Sequence, residues 1–176
     1  MEQQITIAEA RGTLVNLVGR PFWGFGRAAN MLMTHFGEMR EGVSMRGDMC
    51  KFREWGLHTE SVWRLCQNGR IIVAYRDFYY DPSGQALEDD WSQPGCSFFD
   101  HVTKRLNEVF SLDPPRVEHI ETDDVGGFSL KMSAGYRLDV FPDTARHDAE
   151  HWRLIQSGDE SIHFVFWNDT VPRPES

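Results

Sequence analysis

Cysteine is scarce in this chain of 176 residues: Cys50, Cys66 and Cys96 are odd in number, widely spaced and outside any C-x-x-C pattern. That spacing argues against a disulfide framework and against a zinc knuckle, and predicts free thiols in a reducing compartment. The opening residues, MEQQ, lack the basic and apolar regions of a signal peptide, and no apolar run approaches the roughly 20 residues that a membrane span needs. The expectation is a cytoplasmic protein with no membrane contact. Basic residues are also in deficit, 18 Lys and Arg against 27 Asp and Glu for a net charge of -9, and no Lys/Arg run occurs. Phosphate backbones require a basic footprint, so general nucleic-acid binding is excluded and a basic protein partner is favoured.

Catalytic motifs are missing in the same way. Gly24 and Gly26 flank Phe25, but there is no G-x-G-x-x-G and no following Lys-Ser or Lys-Thr to cradle a phosphate. No G-x-S-x-G nucleophile elbow is present. His147 to His151 reads HDAEH, a literal H-x-x-E-H, yet that motif needs both histidines on one helical face. Here Pro142 lies just before it and the strand-like WRLIQ follows at once. The reading therefore assigns no cofactor and no metal, and nothing in the sequence sets an oligomeric state.

What is abundant is apolar and aromatic surface, 40% and 12% of residues respectively, enough for one globular domain over residues 1–176 with a loose tail at 168–176. Its most legible stretch runs from Leu57 to Asp77. Two β-rich segments, VWRLCQ and RIIVAY, flank Asn68-Gly69, the pair best suited to a two-residue type I′ hairpin. Counting outward, Gln67 faces Arg70, Cys66 faces Ile71, Leu65 faces Ile72 and Arg64 faces Val73. Both faces are largely apolar, which predicts a hairpin central in its sheet.

Two helices are expected. Thr6 and Glu9 form a T-x-x-E capping box ahead of Ile7, Ala10, Leu14 and Leu17 on one face. Ser97 and Asp100 cap a second helix in which Phe98, Phe99, Val102, Leu106, Val109 and Phe110 recur at helical spacing up to Pro114. Between Phe78 and Ser97 a Pro, Gly and acidic stretch reads as a surface connection. The C-terminal third predicts strands over 116–121, 128–132, 136–141, 151–156 and 161–167 in an antiparallel meander. The fold class is α+β: two helices on a mainly antiparallel sheet of six to eight strands.

If the first hairpin strand runs back to His58 without a bulge, alternation puts His58, Glu60, Arg64 and Asp77 on one face, with Glu60 opposite Asp77. Two carboxylates and an imidazole are suited to tuning one another's proton affinity, and Arg64 to holding an anion. Trp-Arg-Leu occurs at Trp63 to Leu65 and again at Trp152 to Leu154. In a strand each Trp points into the core while Arg64 and Arg153 point away, free to reach a carboxylate or a partner. Arg27 is the remaining binding candidate.

The order Trp23, Arg27, Met31 leading to Phe36-Gly37, Leu57-His58, Trp63-Arg64, Asp77, Glu150 and Trp152-Arg153 resembles an uncharacterised family of small, mostly bacterial proteins. That resemblance implies no particular activity. In size and acidity the chain is also similar to the immunity proteins of polymorphic toxin systems, which bind and block a toxin. The expectation is a non-enzymatic interaction protein that binds through its acidic surface and the Arg27, His58, Arg64 and Asp77 region. The alternative is a small-molecule or metal-dependent enzyme using His58, Glu60 and Asp77.

Overall fold

Hairpin turns, caps and alternating strands are all realised, but the chain divides them between two sheets. The computed structural model describes residues 1–43, 48–88, 91–158 and 161–167; the tail at 168–176, expected to be loose, lies outside them. The first sheet contains β1 (Glu2–Ile5), β2 (Phe22–Ala28), β3 (Met31–Val43) and β4 (Met49–Thr59), together with β10 (Glu150–Gln156) and β11 (Ile162–Trp167). Its order is β1-β11-β10-β4-β3-β2. The second is built from β5 (Val62–Gln67), β6 (Arg70–Ala74), β7 (Val117–Thr122), β8 (Phe128–Met132) and β9 (Tyr136–Phe141), in the order β6-β5-β9-β8-β7. All pairings are antiparallel except β1 with β11. The α+β class is as expected; the single sheet of six to eight strands is replaced by sheets of six and five.

Both capping boxes form. The Thr6 hydroxyl accepts from Glu9 N and the Glu9 carboxylate accepts from Thr6 N at 2.9 Å, starting α1 (Ile7–Leu14). Ser97 and Asp100 do the same for α2 (Phe98–Leu112). Each box satisfies N-terminal amides that a helix otherwise leaves unpaired. The buried side of α2 presents Phe99, Thr103 and Phe110.

The inner faces of both sheets feed one core. Leu32, Phe36, Leu57, Trp152 and Leu154 from the first meet Trp63, Leu65, Leu130, Leu138 and Val140 from the second. Trp63 lies edge-on to Phe78 and Phe99, at 5.6 and 5.7 Å between ring centres, geometry favoured by the ring quadrupoles.

The hairpin at Asn68-Gly69 has the expected turn, with φ of 49° and 79°. Gln67 pairs with Arg70 and Cys66 with Ile71, after which a bulge moves Leu65 onto Val73 and Arg64 onto Ala74. The register expected beyond Cys66 is thus one residue off, because a bulge leaves one residue of β6 unpaired and shifts the faces behind it. Nor is the hairpin central: β6 is the outermost strand. Its Ile71, 61% exposed, shows why apolar character on both faces misleads here. The expected C-terminal meander is also divided, with β7, β8 and β9 in one sheet and β10 and β11 in the other.

Candidate polar cleft on the outer sheet face

The segment from His58 to Trp63 does not continue as one strand. The chain leaves the first sheet at Thr59, turns at Glu60 and Ser61, and enters the second at Val62. Buried hydrogen bonds hold this corner: Thr59 Oγ1 donates to the His151 carbonyl at 2.7 Å, and Ser61 N donates to Thr59 Oγ1 at 3.1 Å. Ser61 Oγ also sits 3.2 Å from His151 Nδ1 and 3.2 Å from the same carbonyl. Both residues are about 2% exposed and lie in the wall of the cleft described below, where this serine–histidine contact ties the corner to β10.

The corner dismantles the expected face of His58, Glu60, Arg64 and Asp77. Asp77 lies beyond β6 in a 3₁₀ turn over Tyr75–Tyr79, where its carboxylate accepts from Ala74 N at 2.7 Å. Burial raises its pKa against the opposing effect of that hydrogen bond. It caps a turn and does not meet Glu60. Arg64 lies on the outer face of the other sheet and donates to Asp139 at 2.8 Å. Arg137 and Ser129 also serve that buried carboxylate.

Arg27 is a structural clamp. Its guanidinium, 6% exposed, bonds both oxygens of Asp100 at 2.8 and 2.7 Å and the carbonyls of Ala29, Trp91 and Gln93. Burial acts to raise the Asp100 pKa, but the Arg27 and Ser97 hydrogen bonds outweigh it and hold the carboxyl below its ordinary value. With every guanidinium group engaged, Arg27 has nothing left for a ligand.

The other three candidates converge. His58, Glu60 and Arg153 line a cleft of about 580 Å³ over the outer face of the first sheet. Pairing of β4 with β10 sets His58 directly beside Arg153, and pairing of β10 with β11 sets Ile155 beside His163. Arg153 is gripped in two places by Glu150, and its Nη1 lies 3.2 Å from His163 Nδ1. The hydrogen bond to Glu150 raises the Arg153 pKa against burial. Burial first, then the proximity of His35, Arg153 and His163, pushes His58 down to about 4. Burial and then Arg153 lower His163. At neutral pH these imidazoles carry no charge.

The acidic side of the cleft is in excess. Glu60, Asp143, Asp148 and Glu150 line it against Arg146 and Arg153. Arg153 pairs with Glu150 and Arg146 with Asp148 at 3.6 Å, so Glu60 and Asp143 form no ion pair among the described residues. No group of three or more His, Cys, Asp or Glu among those residues is placed to hold a metal ion. The HDAEH segment is a turn followed by β10, which separates His147 from the buried His151.

Sequence reasoning did not reach Asp143 or His163. His163 comes near His58 because β10 pairs with β4 as well as with its predicted neighbour β11, Asp143 lies in the connection before β10, and only the alternation of Arg153 and Ile155 with Trp152 and Leu154 hinted at that outer face. No family model, curated protein or solved structure matches this chain.

Proposed function

We propose that this protein is a non-enzymatic binding protein that receives a basic side chain of a partner protein in the polar cleft, as an immunity protein receives its toxin. The observation that carries this reading is the pair of carboxylates, Glu60 and Asp143, that line the cleft with no salt bridge among the described residues, beside histidines whose pKa burial lowers. A guanidinium or ammonium placed there gains charge-assisted hydrogen bonds at both. The net charge of -9 adds long-range attraction for a basic surface. Acid/base catalysis is less well supported: the sheet-switching corner takes Asp77 away from His58 and Glu60, and an imidazole near 4 is a weak base at neutral pH. Cys50, Cys66 and Cys96 form no disulfide among the described residues, which fits a reducing, cytoplasmic setting, and no helix among those residues is long and apolar enough to cross a membrane.

The test is an NMR titration of isotope-labelled protein with a blocked arginine peptide, using an uncharged analogue as control. Shifts should localise to His58, Glu60 and Asp143, and a Glu60→Gln, Asp143→Asn double variant should weaken binding about tenfold, the range expected for lost charged hydrogen bonds. Equal binding by the double variant, or none by the parent protein, would overturn the reading.

A further inference from the structure

A second cavity, of about 350 Å³, opens on the same sheet face and shares His58 and Ile155 with the cleft. Its floor is Gly56, which lies beside His35 on β3 and Ile155 on β10. A Cβ added there would meet His58 Nε2 and the Ile155 Cβ at 3.8 Å, ordinary contact distances, and the backbone is outside the left-handed region. The glycine is thus not demanded by its conformation. What its missing side chain provides is depth.

Arg53 stands at the end of this cavity with its guanidinium 3.8 Å from the centre of the Trp23 ring. The ring face attracts the guanidinium through its quadrupole, and the planar donor fork of an arginine suits a carboxylate. Arg53 forms no ion pair among the described residues, whereas its neighbour Lys51 is within 3.6 Å of Glu41. In a chain of net charge -9, an arginine that lines a cavity and meets no carboxylate within ion-pair distance among the described residues stands out; Glu38 acts on it only from farther away. One guanidinium beside the neutral imidazoles of His35 and His58 matches one negative charge, not the two of a phosphate.

We propose that this cavity is a carboxylate subsite, in which Arg53 takes an Asp or Glu side chain from the same partner segment whose basic residue occupies the cleft. This rests on the reading of the cleft given above and adds the charge order of the partner. Arg53 and Glu60 are seven positions apart along β4 and its exit. At roughly 3.3 Å per residue a straight strand would span about 23 Å, and the turn at Glu60 shortens it, so an extended segment of up to about seven residues with opposite charges at its ends reaches both.

Blocked peptides of about that length test it by NMR titration: one with arginine and glutamate at its two ends, in both orders, one with glutamate replaced by glutamine, and one with arginine replaced by glutamine. In one of the two orders, the doubly charged peptide should bind about tenfold more tightly than either singly charged one, shifting His35 and the Trp23 indole as well as His58. Arg53→Gln should remove that gain while leaving the glutamine-ended peptide's affinity unchanged. Gly56→Ala, whose Cβ fits at ordinary contact distances, should reduce that gain by taking up depth at the floor, with a thermal melt confirming its fold. If the arginine-only peptide binds as tightly as the best doubly charged one, the subsite is refuted and the cleft reading stands. If no peptide binds, both fall.

Discussion

The side chain of Asn107 on α2 closes the free edge of β2 at Phe25, accepting from its N–H at 2.9 Å and donating to its carbonyl at 2.8 Å. One amide thus stands in for a missing strand where the sheet would otherwise offer an open pairing edge. Gly24 makes the approach feasible: a Cβ there would lie 2.0 Å from Asn107 Oδ1. Asn107→Ala should therefore destabilise the protein by about 2 kcal/mol, near 1 per lost bond. It should also promote self-association through β2. Denaturant unfolding and sedimentation velocity check the two effects, and Asn107→Asp should keep only the bond from Phe25 N.

Arg27 and Arg64 both bind carboxylates, and their burial sets them apart. The Arg27 and Asp100 side chains are 6% and 14% exposed, while Arg64 is 40% exposed beside an Asp139 that Arg137 and Ser129 also serve. Removing one partner of a buried pair strands the other charge. Arg27→Ala should cost about 3 to 5 kcal/mol, and Arg27→Lys most of that, since an ammonium lacks the planar fork that reaches Asp100 and three carbonyls together. Arg64→Ala should cost about 1 kcal/mol or less. Equal losses in chemical denaturation would contradict this ranking. Arg27→Ala should also expose the segment between Trp91 and Ser97 to proteolysis.

His58 binds a proton less readily in the folded chain than in the unfolded one, where an imidazole titrates near 6.5; burial is the main cause. Stability from this site is full above about pH 6.5 and falls as the unfolded state takes up the proton, until the folded ring also titrates near 4. His35, His151 and His163 are shifted the same way, by burial in each case, and steepen the loss. For a partly solvated ring the His58 share is on the order of 2 kcal/mol. Denaturation midpoints taken between pH 7 and 4 should drop, and His58→Gln should flatten the curve. An NMR titration midpoint for His58 near 6.5 would contradict the argument.

Local chemistry was the readable part of this sequence. Thr6 with Glu9, Ser97 with Asp100, and Asn68 with Gly69 each act over three residues or fewer, and each does what its residue types require. Strands with one wet face, such as Phe128–Met132 and Tyr136–Phe141, were equally plain. The sheet change at Glu60 and Ser61 was not, because a corner of two residues leaves the apolar alternation on either side intact. The polar cluster inferred across it therefore failed for Asp77, while His58, Glu60 and Arg153 met through a pairing of β4 with β10 that no neighbouring residues encode.

The two sheets are joined at Gly126, in the turn between β7 and β8. Its carbonyl accepts from Trp152 Nε1 at 2.9 Å, and Trp152 stacks on Phe166 with ring centres 5.3 Å apart. A Cβ on Gly126 would lie 2.0 Å from Phe166 Cε1 and 2.2 Å from its Cζ, inside any possible contact distance. The residue also has φ of +86°, a conformation that L side chains rarely adopt. Gly126→Ala therefore meets strain and overlap together, and the ring that must move is 3% exposed in the core. The expected loss is about 2 to 4 kcal/mol. Pairing the variant with Phe166→Leu should recover part of it, since the smaller side chain removes the overlap but not the strain at φ. Full recovery in denaturant unfolding would show that overlap alone was responsible; no recovery would place the loss in the backbone.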